Sequence, residues 1–334
     1  MANINELLIG WSLGKQTNIT TAALVANVWR MGNLNAKPWP QKPVNEDDSK
    51  EIGKGHEFAA TLYKSHYDPP IYQIQKYASS EMLAWMLCFG LGHPPVIATG
   101  QYTITPLNPI TDGTELPYFS FIQQIRPGGS SVLDQMFIGC AVKAWKLALT
   151  SSPGRASAMC TVDCWTSGGY QEPSAMTLPA ATVPHEMNAG GLTLTINGID
   201  YITPKNFVSL DMGMDNVPRS GYFPGSGSQD GYQIQGRCEI GDRIPSFSYV
   251  GRYAHGSTEL ALLRALTTGT AVIGLSADAN NSLAATWQKI GFEVVEIGDA
   301  AGIVTVAVTA IPMYDPTNGL FSAVVKCPVT GIGQ

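Results

Sequence analysis

The sequence predicts a mainly β protein whose sheet curls, because one long hairpin shows a two-residue period and then a phase slip. The hairpin lies between Leu116 and Ser151 and has no helical period. In its first arm, side chains of different polarity alternate from Tyr118 to Gln123, as in a strand with two unlike faces. The segment from Arg126 to Ser130 then supplies Pro, Gly and Ser residues that favour a turn.

The second arm begins near Phe137 and changes phase part-way along. Its apolar positions run through one set, Ile138, Cys140 and Val142, and then shift by one residue to another, Trp145, Leu147 and Leu149. Such a slip turns every later side chain to the other face of the sheet unless one extra residue is absorbed locally. We therefore predict a β-bulge near Lys143 and Ala144. Bulged strands bend, which suits a curling sheet.

The length of the chain and its low content of charged residues each have two possible explanations. The chain has 334 residues, whereas a typical domain has about 100–200, so one large β domain with long insertions and two related domains are both possible. Charged residues make up 14% of the chain, against roughly 25% in an average soluble protein. Either much of the surface is buried against copies of the chain, or the chain is a β protein rich in neutral Gly and Pro turns.

Charge and hydropathy argue against several classes of function. The formal net charge is −6 and Lys and Arg do not cluster, so specific nucleic-acid binding is not expected. Apolar runs stay below the roughly 18 residues of a membrane span. The N-terminus carries Glu6 and lacks a basic segment, so we expect no secretory signal. Buried, reduced thiols are expected at the six cysteines, Cys88, Cys140, Cys160, Cys164, Cys238 and Cys327.

The first 56 residues are predicted to form an N-terminal arm and a long loop. Residues 1–30 contain an apolar stretch that fits a helix and a strand equally well. Residues 31–56 have several prolines, mixed charges and no period, which is typical of a long loop. Trp39 lies between Pro38 and Pro40. An aromatic residue in such a place either docks on a partner or folds back on its own domain.

Two helices are expected. Ser79 or Ser80 is predicted to cap the first, EMLAWMLCFGLG, which ends at Gly90 or Gly92. One face of this helix should pack on the sheet through Met82, Leu83, Met86 and Leu87. The second helix, TELALLRALTTG, follows a cap at Ser257, and its predicted buried stripe consists of Leu260, Ala261, Leu263 and Leu266.

The second half of the chain alternates short strands with two insertions, at about residues 167–191 and 217–232. A strand at residues 156–165 precedes the first insertion. Between the insertions, Asn197 and Gly198 interrupt a clean alternation, which predicts a hairpin with a primed two-residue turn. Further strands are predicted from Asn206 to Met214 and from starts near Ala271, Ile303 and Leu320.

No pattern in the sequence predicts catalysis, a metal site or a bound cofactor. The five histidines are far apart in the sequence, and Cys160 and Cys164 share a strand face without a second pair of ligands. The segment from Gly225 to Ser228 lacks the lysine of a phosphate-binding loop, so we assign it to a flexible loop.

Four carboxylates lie at or near the ends of predicted strands and are candidates for a functional site. Asp211 and Asp215 end one predicted strand, and Glu239 and Asp242 follow the next loop. A hydrolase pair would need a cleft with aromatic sugar-binding residues and one shifted pKa, which the sequence does not indicate. Carboxylates exposed to solvent in turns are ordinary, and these four fit that description.

The order of motifs around the central hairpin is also informative. A Leu-Pro-x-Phe-Ser strand at residues 116–120 precedes the pattern Gly-Cys-x-Val-x-x-x-x-Leu-x-Leu at residues 139–149. A helix ending in Leu-Gly and a Gly-x-Tyr strand lie upstream, and the strands at residues 192–198 and 206–211 lie downstream. Across residues 57–328 this order resembles the tail tube, or major tail, proteins of tailed bacteriophages.

The resemblance implies a fold and a function. The fold would be a curled β-sandwich or half-barrel with one or two flanking helices and long loops, spanning residues 57–328 between the arm at 1–56 and a C-terminal tail at 329–334. The chain would be a structural virion protein and not an enzyme. It would be made in the host cytoplasm and assemble into stacked, six-membered rings, the phage tail tube through which genomic DNA leaves the capsid. Strands added edge to edge would remove exposed sheet edges.

The resemblance also implies partners and site residues. The partners would be further copies of the chain, other tail proteins such as the tape measure and terminator proteins, and duplex DNA in transit, with no membrane and no cofactor. Candidate lumen residues, whose negative charge would repel DNA phosphates, are Asp211, Asp215, Glu239 and Asp242. Candidate contacts between subunits are Pro38, Trp39, Pro40, Tyr222 and Phe223. The alternatives are a β-sandwich surface-binding or fibre module and a β-sandwich glycoside hydrolase.

Overall fold

The fold is mainly β with two helices, in agreement with the predicted class. The structure is a computed structural model. It describes residues 6–22, 28–29, 35–36, 42–47, 62–68, 72–126, 133–152, 155–171, 178–180, 184–202, 207–222, 228–229, 231–253, 259–300 and 302–334. The helices are α1 (Ser80–Leu91) and α2 (Glu259–Arg264). The strands are β1 (Glu6–Ser12), β2 (Val28–Trp29), β3 (Asn35–Ala36), β4 (Lys42–Asp47), β5 (Leu62–Asp68), β6 (Tyr72–Tyr77), β7 (Val96–Ala98), β8 (Gln101–Ile104), β9 (Phe119–Arg126), β10 (Leu133–Ser152), β11 (Arg155–Gln171), β12 (Leu192–Ile196), β13 (Ile199–Asp200), β14 (Phe207–Asp215), β15 (Arg219–Gly221), β16 (Ser228–Gln229), β17 (Tyr232–Gln233), β18 (Arg237–Glu239), β19 (Ile244–Arg252), β20 (Thr268–Asp278), β21 (Asn281–Ala300), β22 (Ile303–Pro312) and β23 (Phe321–Lys326).

Two strands of 20 residues each, β10 and β21, organise one large antiparallel sheet. Along one side, β10 pairs first with β9 and then with β14, and β21 pairs first with β23 and then with β22. Each long strand therefore belongs to two parts of the sheet. The pairings among the described strands form no closed circuit, so the sheet is not closed into a barrel.

The sheet has two main parts, which we name for use below. The wide sheet has the order β6, β11, the second half of β10, β14, β19, β22 and the second half of β21. The narrow sheet has the order β12, β20, the first half of β21, β23, β8 and β7. A branch of β9, β1 and β2 continues from the first half of β10.

Helix α1 lies in the core rather than on the surface of the sheet. Its predicted N-cap is confirmed, because Ser79 Oγ accepts a hydrogen bond from the Met82 N–H, and Gly92 ends the helix in the left-handed region at φ 85°. The expectation of a single buried face was wrong, since every residue from Ser80 to Leu91 is buried. It contacts β10 and β11 of the wide sheet and β8, β21 and β23 of the narrow sheet.

A polar cluster satisfies the C-terminal end of α1. The Arg243 guanidinium donates hydrogen bonds to the carbonyl oxygens of Leu91 and Leu107 at 2.9 and 3.0 Å, and to Asn216 Oδ1 at 3.0 Å. Asn216 Nδ2 donates to the carbonyl oxygens of Gly90 and Val142 at 2.9 and 3.0 Å. Burial lowers the pKa of Arg243 to about 10. Helix-end carbonyls buried without donors would be costly, so this cluster makes the buried position of α1 possible.

The predicted bulge in β10 is present. Val142 pairs with Cys164 and Ala144 with Asp163, so Lys143 is the extra residue. Val142 and Trp145 are consequently both buried although three positions separate them. A second irregularity, between Ile138 and Cys140, was not predicted.

The hairpin at Asn197 and Gly198 is confirmed. Both residues have positive φ, 50° and 80°, as a type I′ turn requires. The two turn residues join β12 to β13, which pair at Ile196 and Ile199.

The second helix is shorter than predicted. It ends at Arg264 and the chain enters β20 at Thr268, because pairing with β21 replaces the last predicted turns. Leu266 has a positive φ of 50° and is 82% exposed, so it does not belong to a buried stripe, and Ala261 is exposed as well. Leu260 is half-buried and Leu263 packs against the core. Ser257, the predicted cap, lies outside the described residues.

Part of the predicted N-terminal arm and loop is ordered strand. Strand β1 pairs with β9 in the large sheet, which joins the start of the chain to the main β domain. Strand β4 pairs with β5, and β5 pairs with β17 from the predicted insertion at residues 217–232. Strands β4, β5, β16 and β17 thus form a small sheet. The sequence did not predict β4, because residues 42–47 show no strand period. Likewise, β11 extends to Gln171, into the insertion predicted at residues 167–191.

The predicted C-terminal tail at residues 329–334 packs on the core. Ile332 is buried, the Gly333 N–H donates to the Leu13 carbonyl oxygen at 2.8 Å, and Tyr102 Oη donates to the Val329 carbonyl oxygen at 2.6 Å. Among the described helices, none has the length and apolar character needed to cross a membrane.

Deleting Lys143 should abolish cooperative folding. The deletion would turn Trp145, Leu147 and Leu149 out of the core, and burial of such side chains is worth roughly 1.5–3 kcal/mol each. Thermal unfolding followed by circular dichroism measures the effect. The control Lys143→Ala keeps the extra residue and should melt like the parent chain. A deletion variant with the parent's cooperative melt contradicts a structural role for the bulge.

Replacing Arg243 with Met should lower the free energy of unfolding, because Met fills a similar volume but donates no hydrogen bond. The Leu91 carbonyl oxygen keeps the Leu107 N–H as a donor at 2.7 Å, whereas the Leu107 carbonyl oxygen and Asn216 Oδ1 lose Arg243. We expect a loss of about 1–3 kcal/mol for each acceptor left without a donor. Urea titration measures it, with Arg237→Met, at an exposed arginine of β18, as the matched control. Equal urea midpoints for the two variants would show that the hydrogen bonds of Arg243 do not stabilise the C-terminal end of α1.

Candidate functional site: the open face of the wide sheet

The wide sheet has one face covered by the core and one face uncovered. One row of residues paired across its strands is entirely buried: Lys76, Cys160, Leu147, Met212, Phe247, Ala310 and Phe292. The adjacent row is half-buried or exposed: Tyr77, Met159, Ala148, Asp211, Ser248, Thr309 and Val294. We call the surface formed by this second row and the rows in phase with it the open face.

The open face is polar and carries more carboxylates than cations. Two further rows consist of Gln75, Thr161, Lys146, Gly213 and Ser246, and of Gln73, Asp163, Ala144, Asp215 and Ile244. A fourth contains Ser157, Thr150, Ser209, Val250, Ala307 and Glu296. The carboxylates are thus Asp163, Asp211, Asp215 and Glu296, with Glu293 in the irregularity of β21 beside them. The cations are Lys146 and Arg252, with Arg155 in phase at the hairpin end of β11 and Lys143 in the bulge of β10.

Hydrogen bonds and one ion pair fix several of these side chains. Lys146 Nζ lies 3.2 Å from Asp211 Oδ2, with both side chains about half exposed. At such exposure the pair contributes little to stability. Gln73 Nε2 donates to Asp163 Oδ1 at 2.7 Å, and Gln75 Nε2 donates to Gln73 Oε1 at 2.8 Å. Five polar side chains of the face are therefore engaged with one another.

The four predicted lumen carboxylates fall into two places. Asp211 and Asp215 both lie on the open face, two rows apart along β14. Glu239 and Asp242 instead belong to the two-stranded ribbon of β15 and β18 and its exit, where each lies close to an arginine. The distances are 3.5 Å from Glu239 to Arg237 and 3.4 Å from Asp242 to Arg219. The structure does not bring all four together.

Sequence reasoning missed two carboxylates of the open face, Asp163 and Glu296. A signal existed for Asp163, because the alternating apolar residues Cys160, Val162 and Cys164 place it on the opposite side of β11. Glu296 had no such signal. A register irregularity between Phe292 and Val294 sets the phase of β21 there.

Most of the predicted contacts between subunits lie outside the described residues, namely Pro38, Trp39, Pro40 and Phe223. Tyr222 is described and contacts its own chain. Its Oη donates to the Tyr67 carbonyl oxygen at 2.6 Å, and its ring lies 4.6 Å from that of His66. Its contact with a neighbouring subunit stays a prediction.

A cavity of about 390 Å³ lies at the C-terminal end of α1 and contains ionisable groups. Its lining includes Lys15, His93, Asp112 and Glu115, with His93 Nε2 3.7 Å from Asp112 Oδ2. Hydrogen bonds from the Asn108 N–H and from Thr111 lower the pKa of Asp112. A carboxyl with a lowered pKa is a poor general acid. The described lining residues also include no Trp, Tyr or Phe ring on which a sugar could stack.

All six cysteines are buried as thiols. Burial raises the pKa of Cys327 to about 11 and raises those of Cys88, Cys160 and Cys238 further. Within the part of the chain that the structure describes, no three His, Cys, Asp or Glu side chains are grouped as a metal site requires.

Comparisons with known proteins add no family assignment. No model of a known protein family matches the chain, and no curated protein matches its sequence.

The six cysteines should resist alkylation in the folded protein at pH 8. Burial raises the pKa values of Cys88, Cys160, Cys238 and Cys327, which disfavours their thiolates, and all six side chains are buried, so the reagent lacks access. Mass spectrometry after iodoacetamide treatment should find full labelling only when denaturant is present. Rapid labelling of Cys160 or Cys164 under native conditions would contradict the described packing of β11.

Proposed function

We propose that this chain is a structural protein of the phage tail, which assembles into stacked, hexameric rings whose channel conducts genomic DNA. The observation that carries the proposal is the open face: a broad, uncovered, polar sheet surface on which carboxylates outnumber cations. The order of motifs around the central hairpin, which resembles that of tail tube proteins, supports it. The partners would be further copies of the chain and other tail proteins, and the location would be the virion.

The chemistry of the open face suits the wall of a DNA channel. Duplex DNA adheres to proteins chiefly through Lys and Arg on its phosphates, and such contacts release counterions and multiply over a long surface. Here Lys146 lies against Asp211, and Asp163, Asp215 and Glu296 add negative charge. A wall of Gln, Ser and Thr side chains with excess carboxylate would wet the channel and repel phosphate, so a duplex could slide without sticking.

The curled, open sheet also favours an assembling protein over the alternatives. A glycoside hydrolase needs one carboxyl with a raised pKa and aromatic rings that hold the sugar. The cavity at the end of α1 has a carboxyl with a lowered pKa, Asp112, instead. A surface-binding or fibre module would not need an uncovered face across so many strands.

Electron microscopy of the purified full-length chain tests the proposal directly. We expect rings and tubes, because further copies would pair with the sheet edges while the open face would line the channel. A protein that stays monomeric at every concentration and ionic strength tried would contradict the proposal. It would favour a binding module or an enzyme.

The assignment of the open face to the channel wall has its own test, based on two carboxylates that flank Ala144 in one row of that face. Tubes of the parent chain should not retain linear duplex DNA, whereas tubes of the double variant Asp163→Lys, Asp215→Lys should retain it at low salt and release it as salt rises. The control is Glu239→Lys, Asp242→Lys, with the same charge change on the ribbon. Co-sedimentation measures retention. Equal retention by control and test variants would show that the open face is not the wall.

A further inference from the structure

We propose that copies of this chain join end to end, with a loop tip that carries Ile110 in one copy entering a groove beneath α2 in the next. This inference rests on the proposed function, because it describes how one ring would stack on another. The contact is heterologous: the two surfaces are different parts of the same chain. A heterologous contact repeats without limit unless its geometry closes it into a ring.

The first surface is a rigid loop at residues 108–112, which we call the knob loop. Ile110 at its tip is 93% exposed. The Ile110 N–H donates to Asn108 Oδ1 at 3.0 Å, the Asn108 N–H donates to Asp112 Oδ2 at 2.8 Å, and the Asp112 N–H donates to the Asn108 carbonyl oxygen at 2.8 Å. An apolar side chain held out by a hydrogen-bonded loop loses little conformational entropy when it binds.

The second surface is a groove of about 500 Å³ between α2 and the end of the hairpin formed by β21 and β22, which we call the α2 groove. Its apolar walls are Tyr253, Leu260, Val295, Ile297 and Val306. Ile297 is 56% exposed and Tyr253 is 45% exposed. Concave apolar surface left open to water in this way marks an interaction site. Its volume accommodates a loop tip rather than a single methyl group.

The knob loop and the α2 groove lie at opposite ends of β19. Arg243, directly before β19, donates to the Leu107 carbonyl oxygen, three residues from Ile110. Tyr253, directly after β19, lines the groove. At about 3.3 Å per residue, a strand of this length separates its ends by about 30 Å. Copies joined knob to groove would therefore extend along the direction of the strands.

Charge favours a second copy as the occupant of the groove. The knob loop and the residues after it carry Asp112 and Glu115, with His93 3.7 Å from Asp112 and Lys15 in the same cavity. The groove carries Arg264 on α2. Glu259, the carboxylate at the groove, is buried, and its Oε1 accepts a hydrogen bond from Tyr201 Oη. The exposed cation of the groove would thus meet the carboxylates beside the knob. Complementary charge at the rim selects the partner and its orientation.

Two substitutions on opposite surfaces test this junction. Ile110→Asp removes the knob and Ile297→Asp places a charge in the groove. Each variant should fold, with an unchanged melt, and should form rings that no longer stack into tubes. The matched control is Val272→Asp, at an exposed β-branched residue on the outer side of the narrow sheet, and its tubes should persist.

Mixing separately assembled rings of the two variants gives a sharper result. Rings of Ile110→Asp keep an intact groove and rings of Ile297→Asp keep an intact knob, so one junction can form and no second one can follow. Sedimentation velocity and electron microscopy should show paired rings and no longer stacks. Mixtures that stay as single rings would overturn the proposed pairing of surfaces.

The outcomes separate this inference from the proposed function. Tubes from Ile110→Asp that match those of the parent chain would overturn the junction and leave the tail-tube proposal standing. A parent chain that forms neither rings nor tubes would contradict the tail-tube proposal itself, and the junction with it.

Discussion

The structure depends on burying a whole helix between two parts of one sheet. A helix buried on every side cannot satisfy its terminal N–H and C=O groups with water, so distant elements must do so. At the start of α1, Ser79 caps the helix and the imidazole of His185 lies 2.6 Å from Glu81 Oε1. At its end, Arg243 and Asn216 supply the donors. The Asn216 N–H also donates to the Lys143 carbonyl oxygen, at the bulge of β10. Helix end, bulge and the chain between β14 and β19 therefore stabilise one another.

The same constraint produces the open face. With α1 on one side, the wide sheet turns its large apolar residues inward. On the other side the ribbon of β15 and β18 packs at Trp165, beyond the four rows of the open face. The bulge at Lys143 and the irregularity near Glu293 set the phase of the two long strands, so that polar residues occupy the outer rows from β6 to β21. An uncovered face across so many strands is thus a consequence of how the core is built. Its chemistry, rich in Gln, Ser, Thr and carboxylate, is what distinguishes it from an apolar interface.

Sequence reasoning predicted the features that depend on local pattern and missed those that depend on pairing. The bulge at Lys143, the Ser79 cap and the Asn197–Gly198 turn each have a signal within a few residues. Strand β4 and the short α2 do not, because pairing with β5 and β21 decides them. The site follows the same division. Asp211 could be predicted because it lies near the end of a predicted strand. Glu296 lies on the same face only because of how several strands pair with one another. Which side chains share a surface is a property of that register and not of the local sequence.

The direction of β19 connects the two proposals physically. If copies join knob to groove at its two ends, the axis of growth runs along the strands of the wide sheet. The outer rows of one copy would then continue into those of the next, and Asp163, Asp211 and Asp215 would recur along a single axis with the spacing of the rings. A channel wall needs this continuity, because a patch of cations repeated at each ring would hold a duplex at many points at once. The low charge of the chain is consistent with the proposal, because surfaces that met other copies would have little need of solvated ions. Asp163, Asp211 and Asp215 would then lie where they repel phosphate.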